Sequence, residues 1–298
     1  MAANANILCI GSVLWDIIGR APTPMHLGAD VPGRITRLPG GVAMNIAMTL
    51  RRFGLTPSLL TAIGRDDEGH ELISTCQALG MDTTYVHRPL KLPTDIYMAI
   101  EGAGHLTAAI ADAHSLEAVG DAILTPLEDG TLGSVNAPYT GMIALDGNLT
   151  ESLLADIASR DSFRAADIRL APASPGKAKR LAPLMGHAGV TLYVNREEAG
   201  ILTGSTPDNA VDAATGLLAI GAHRVLVTDG PNGAAEGMAG NVTHAPAPAV
   251  TVKRITGAGD TFMAGHIAAE LAGANRQDAL PAALQAAADY ISKEDHDL

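Results

Sequence analysis

Aromatic residues are scarce: one Trp, three Phe and five Tyr among 298 positions. A core with so few rings is filled by Ala, Gly, Leu and Ile, and small or branched side chains suit helices lying close on a sheet. Cysteine is scarcer still. Cys9 and Cys76 stand alone, without a CxxC pair or a Cys/His cluster, so reduced core thiols are expected in place of a disulfide or metal role. Positive charge is also in deficit, with 20 Lys and Arg against 32 Asp and Glu and a net charge of −12. A surface of that sign repels nucleic acid and anionic membrane. A small anionic ligand would need a local positive site built from metal, backbone N–H groups or a few cations. No uncharged apolar run approaches the ~18 residues of a bilayer span. Met1–Asn6 has no basic stretch ahead of an apolar one, so no secretion signal and a cytoplasmic location are expected.

What is present is an alternation. Ile7–Ile10 is a short apolar run stopped by Gly11-Ser12, the pattern of a buried parallel strand. Val42, Ile46, Leu50 and Phe53 recur at helical spacing before Gly54, and Asp67–Leu79 forms a second helical stretch. Strands are expected at 58–63 and near 142–146, 166–171, 190–194 and 223–228. Helices are expected near 150–160, 176–186, 196–203 and 208–220. Such βα alternation implies an α/β fold, a mostly parallel sheet covered by helices on both faces. Two segments break the pattern. Residues 17–39, rich in Pro and Gly, read as loop with short extended pieces, and Tyr97–Glu101 and Leu106–Ala111 flank Gly102-Ala103-Gly104 as a hairpin. Together, about 17–39 and 93–112 are expected to form a small β lid beside a single domain of 1–298. Residues 113–140 show little periodicity.

Ligands of open α/β sheets bind at the carboxyl ends of strands, and chemistry-bearing residues gather there. Thr256-Gly257-Ala258-Gly259-Asp260-Thr261 opens an apolar helix. The glycines leave first-turn N–H groups accessible to an anion without a Cβ in the way. Asp260, in that first turn, either caps the helix or takes a proton from an attacking nucleophile. Gly40-Gly41-Val42-Ala43-Met44-Asn45 places a diglycine before a helix and an amide in its first turns, able to donate to and accept from hydroxyls. Asp16 follows the first strand by a few residues. Asn195-Arg196-Glu197-Glu198 follows the strand at 190–194; it offers either oxygen ligands for Mg²⁺ and phosphate or a capping box. Thr228-Asp229-Gly230-Pro231-Asn232-Gly233 ends the strand at 223–228 in a turn that suits nucleotide phosphates. An NAD-dependent enzyme is disfavoured, since Gly11-Ser12-Val13-Leu14-Trp15 is no GxGxxG.

Taken together these motifs resemble the ribokinase (PfkB) family of carbohydrate and nucleoside kinases over nearly the whole chain. The likeness rests on the Gly-Gly-x-Ala-x-Asn stretch from Gly40 with Gly54 and Gly64, on Asn195 to Glu198, on Thr228 to Gly233, and on Gly257 to Asp260. It implies a three-layer α/β/α ribokinase-like fold with a β lid, and ATP-dependent phosphorylation of an alcohol. By the resemblance Asp260 is the base, and Gly257, Ala258 and Gly259 form the anion hole. Asp16, Gly41 and Asn45 hold substrate hydroxyls; Asn195, Thr228, Gly230 and Gly233 serve the nucleotide; Glu198 organises Mg²⁺ through water. Arg254 stands where the family usually carries Asp or Asn, which puts the family's monovalent-cation site in doubt.

Within the family, Pro93–Ile100, Ala109–Asp112, Leu145–Leu149 and Ala173–Ala178 resemble the pseudouridine kinases most closely, although Ala113 replaces their usual Met. That likeness makes Thr94, Asn148 and Lys177 candidate substrate readers. Other sugar and nucleoside kinases are the alternative, and a non-catalytic ligand-binding relative is a further one. Exposed lid edges invite a homodimer.

Overall fold

The computed structural model describes residues 6–254 and 256–293, so most of the N-terminal stretch read above lies outside the described residues. An eight-stranded sheet forms the centre. Its strands are β1 (Asn6–Ile10), β4 (Thr56–Leu60), β7 (Met142–Asp146), β8 (Asp167–Ala171), β9 (Val190–Asn195), β10 (Arg224–Thr228), β11 (Ala234–Met238) and β12 (Asn241–Ala245). Their spatial order is β12-β11-β10-β9-β8-β7-β1-β4. From β4 to β10 all neighbours are parallel, while β10, β11 and β12 form antiparallel pairs.

Side chains alternate across these strands and build two cores. Leu8, Ile10, Ile143, Leu145, Ile168 and Leu170 face α4 (Glu151–Ser159), α5 (Arg196–Thr203) and α6 (Ala210–Ala219). Ile7, Cys9, Ala144, Tyr193 and Leu226 face the opposite layer. That layer consists of α1 (Val42–Arg52), α2 (Asp67–Ala78), α7 (Ala258–Leu271) and α8 (Arg276–Ile291). Both cysteines are buried free thiols, and no described helix is long and apolar enough to cross a membrane.

The small second sheet has the order β3-β2-β5-β6, from β2 (Leu14–Ala21), β3 (Arg34–Gly40), β5 (Ile96–Gly102) and β6 (His105–Asp112). The hairpin expected at 97–111 is β5–β6. The loop reading of 17–39 needs correction, because regular strands occupy both ends and only the Pro/Gly centre is irregular. β3 is largely solvated and β2 only half-buried along its middle, so neither carries the apolar run that marks a fully buried strand. The stretch expected as a helix near 176–186 is a run of 3₁₀ turns, Pro175–Leu184, where Pro183 removes a backbone donor. The unreadable 113–140 contains the short helix α3 (His114–Val119) and further 3₁₀ turns.

From β1 the chain passes to β4 on one side, while β7 starts the run to the other side. The crevice at this reversal, at the carboxyl ends of β1 and β7, is the switch point where α/β sheets place ligands.

Candidate active site

Two motifs far apart in sequence meet at that crevice. Asn45, in the first turns of α1, donates from Nδ2 to Asp260 Oδ2 at 2.9 Å. Gly41 makes this possible: its φ of 96° turns the chain into α1, and a Cβ there would strike Ser12. Gly257, at φ 83°, is the N-cap of α7, and no side chain caps that end. The N–H groups following Gly257 therefore converge on the space beside Asp260 without a competing protein acceptor among the described side chains. Gly259 is exposed and a Cβ on it would meet nothing, so this surface is open.

Burial pushes the Asp260 carboxyl up to about 7. The Asn45 amide opposes this, and the neighbouring carboxylates Asp146, Glu198 and Asp16 reinforce it. Asp16 itself, on β2, is raised by burial to about 6. Its carboxyl lies where a Cβ on Gly40 would have to be, so the diglycine also makes room for this acid. The small sheet thus brings a carboxylate to the cleft from the lid side.

The floor of the crevice is a polar chain. Asp146, fully buried at the end of β7, accepts from Ser12 N at 2.8 Å and Ser12 Oγ at 2.5 Å. Ser12 Oγ in turn accepts from Val42 N and from Asn148 Nδ2, both at 3.0 Å. Asn148 Oδ1 accepts from Lys177 Nζ at 2.5 Å. Asn148 is therefore spent at both ends of its amide, and Lys177 is the outward donor of the chain. Burial, and after it Arg180, lowers the Lys177 ammonium. Ser12 and Asp146 were missed in the sequence, although Asp146 closes an apolar run as plainly as Asn195 does.

Thr94 is buried, its N–H and hydroxyl donate to Asp66 at 2.7 and 2.5 Å, and Asp66 caps α2. Its proton serves the fold at the root of the lid.

On the other side, Asn195 and Glu198 form a full capping box at the start of α5. Asn195 Oδ1 accepts from Glu198 N and Glu198 Oε2 accepts from Asn195 N, both at 2.8 Å. Both options left open by the sequence thus concern one pair, since the cap also holds the Glu198 carboxylate near Asp260. Burial raises Glu198, against the pull of the Asn195 N–H. Thr228 lies beside Asn195 in register, and Gly230–Asn232 forms a 3₁₀ turn closed by Gly233. Arg196 Nε meets Asp229 Oδ1 at 2.8 Å and ties this turn to α5. Among the described residues no cluster of three or more His, Cys, Asp or Glu forms a metal cage. The Glu198 carboxylate, buried at the start of α5, is suited in chemistry to Mg²⁺, which keeps several waters and takes few protein ligands.

Arg254 lies against Tyr290 of α8, whose hydroxyl donates to the Thr256 carbonyl ahead of α7. Its Nε donates to the Tyr290 carbonyl at 3.0 Å, and its guanidinium lies 3.7 Å from the Tyr290 ring centroid.

Comparison with known proteins agrees with this geometry. The pfkB family of carbohydrate kinases matches residues 4–296, and the chain belongs to that family. It is 28% identical over 267 residues to a pseudouridine kinase of Escherichia coli K12, covering 87% of this chain and 82% of that one. It is 29% identical over 276 residues to a fructokinase of Rhizobium leguminosarum bv. trifolii, covering 88% and 78%. A carbohydrate kinase structure from Agrobacterium tumefaciens superimposes with a TM-score of 0.80 at 27% identity, over 98% of this chain and 94% of that one. The protein is a ribokinase-like kinase.

Proposed function

We propose that the chain transfers the γ-phosphoryl group of ATP to the 5′-hydroxyl of a nucleoside, pseudouridine, giving pseudouridine 5′-phosphate. The observation that carries the kinase chemistry is the Asn45–Asp260 contact beside the uncapped start of α7. A carboxylate there is electrostatically unfavourable next to phosphate unless it takes a proton. Asp16, Gly41 and Asn45 hold the sugar hydroxyls and aim the 5′-oxygen at the γ-phosphorus. Asp260 accepts the hydroxyl proton as the O–P bond forms. The N–H groups of Gly257, Ala258 and Gly259 stabilise charge on the transferring group. Asn195, Thr228, Gly230 and Gly233 serve the nucleotide. Mg²⁺, held through water by Glu198, would supply charge neutralisation at the phosphates. The lid excludes water, which limits ATP hydrolysis.

The substrate choice rests on the likeness to pseudouridine kinases and on Lys177, which Asn148 and Ser12 aim as a donor toward carbonyl oxygens of a uracil ring. A site that hydrogen-bonds the additional N–H of C-linked uracil rejects an analogue lacking it. A sugar kinase is the second reading, supported by equal similarity to the fructokinase. Arg254 takes the place of a monovalent cation, a cytoplasmic location suits the chemistry, and the lid joins two copies into a homodimer. ADP formation measured over pseudouridine, uridine, adenosine, ribose and fructose, in K⁺ and in Na⁺ salts, tests the reading. Pseudouridine should give the highest kcat/KM, with equal rates in both salts. Faster turnover of ribose, fructose or adenosine overturns the substrate, and saturable K⁺ activation overturns the role of Arg254.

A further inference from the structure

Behind α7 lies a buried polar network that the chemistry above does not use. Arg169 on β8 donates to Tyr193 OH at 3.1 Å and to Glu270 Oε2 at 2.5 Å, and Arg224 on β10 donates to Glu270 Oε1 at 2.6 Å. Tyr193 OH lies 2.7 Å from Nδ1 of His266, which is fully buried on α7. The direction of this bond follows from the donors. A guanidinium only donates, so the tyrosine oxygen accepts from Arg169, and among the described residues His266 Nδ1 is the acceptor within hydrogen-bond distance for its own proton. Burial holds the imidazole neutral, at about 3, so its proton sits on Nε2. That N–H is buried without a hydrogen-bond partner among the described residues. An orphaned buried donor is costly, and a leucine would avoid the cost.

What the histidine provides is direction. α7 sets Phe262, Met263 and Ile267 into the core among small residues, Ala258, Gly259, Ala264, Gly265 and Ala268, and Gly265 lies against Ala286 of α8. Apolar contact holds the helix without fixing direction, whereas a hydrogen bond weakens steeply with misalignment. Tyr193 stands two residues before Asn195 on the same strand, and His266 lies within two turns of Asp260 on the same helix. We propose that His266 is a positioning residue: through Tyr193 it pins α7 along β9, and so sets Asp260 and the anion hole at a fixed distance from Asn195 and Glu198. This rests on the roles given to those residues above.

The test compares His266→Leu, Tyr193→Phe, the double variant, His266→Asn and Asp260→Asn, with MgATP and the best acceptor of the panel. Rates are taken per folded molecule, well below each variant's Tm. A small misplacement of reacting groups costs one to two orders of magnitude, so His266→Leu and Tyr193→Phe should each lower kcat about tenfold or more, with both KM values within about threefold. The double variant should be no worse than either single one. Asparagine places an oxygen where Nδ1 stood, so His266→Asn should recover kcat to within about threefold of the parent. Tyr193→Phe removes one oxygen from a near-identical shape and keeps the test valid if His266→Leu fails to fold. Parent-like kcat in Tyr193→Phe overturns the proposal, provided Asp260→Asn is slow. Parent-like kcat in Asp260→Asn overturns the site assignment on which it rests.

Discussion

Asp260, the proposed base, carries a stability cost. Its folded value of about 7 lies above the ~3.9 of an unfolded aspartate. Between these values the folded chain holds a proton that the unfolded chain releases, so this group lowers stability as pH rises through that window. Asp260→Asn keeps an acceptor for Asn45 and removes the titration. Its Tm should exceed the parent's by a margin that grows from about pH 4 to pH 7 and then levels off. A variant less stable than the parent near pH 8 would show that the carboxylate mainly caps α7. At this scale the sequence was legible where a residue ended an apolar run or followed a glycine pair, as with Asn195, Asn45 and Asp260. It was not legible for Ser12 and Thr94, whose roles depend on partners 134 and 28 residues away. A threonine before a strand offers the same pattern whether its hydroxyl meets a ligand or Asp66.

At the scale of elements, α5 combines an observed cap and a proposed site in one residue pair. Asn195→Ser retains a capping oxygen and should stay within a few tenths of a kcal/mol of the parent in urea denaturation, while Asn195→Ala should lose about 1 kcal/mol. Both should raise the KM for MgATP, because neither keeps the amide. An unchanged KM in both variants would reduce Asn195 to a cap. The helices and buried parallel strands were readable because two-sided burial leaves apolar runs and one-sided burial leaves helical period. The lid strand β3 was hidden by solvation and β2 by partial burial, and the 3₁₀ turns at 175–184 carry apolar residues at spacings that imitate a helix. The hairpin β11–β12 and the helix α8 were not read at all. Ala and Gly dominate the first, and Pro281 sits inside the second.

For the whole molecule, the lid has two unlike faces. Asp16 and Tyr97 pair in register on the face that carries the acid to the cleft. On the other face Ile17, Met98 and Ile110 lie in register beside Ile35 and Ile100, and Ile35, Met98, Ile100 and Ile110 are exposed. An apolar patch of this kind suits a second copy of the chain. Ile110→Glu should convert a dimer to a folded monomer in sedimentation equilibrium; a parent protein that is monomeric at all concentrations contradicts this arrangement. Catalytic power, in the proposed reading, depends on one carboxylate. The most direct measurement is the initial rate of acceptor-dependent ADP formation by the parent and by Asp260→Asn, followed across pH. With Asp260 as the base, the parent's kcat/KM should rise with pH through an inflection at about 7, and Asp260→Asn should lose at least ~10²-fold in turnover and show no such inflection. Turnover by Asp260→Asn within a few-fold of the parent, with the same pH dependence, would contradict it.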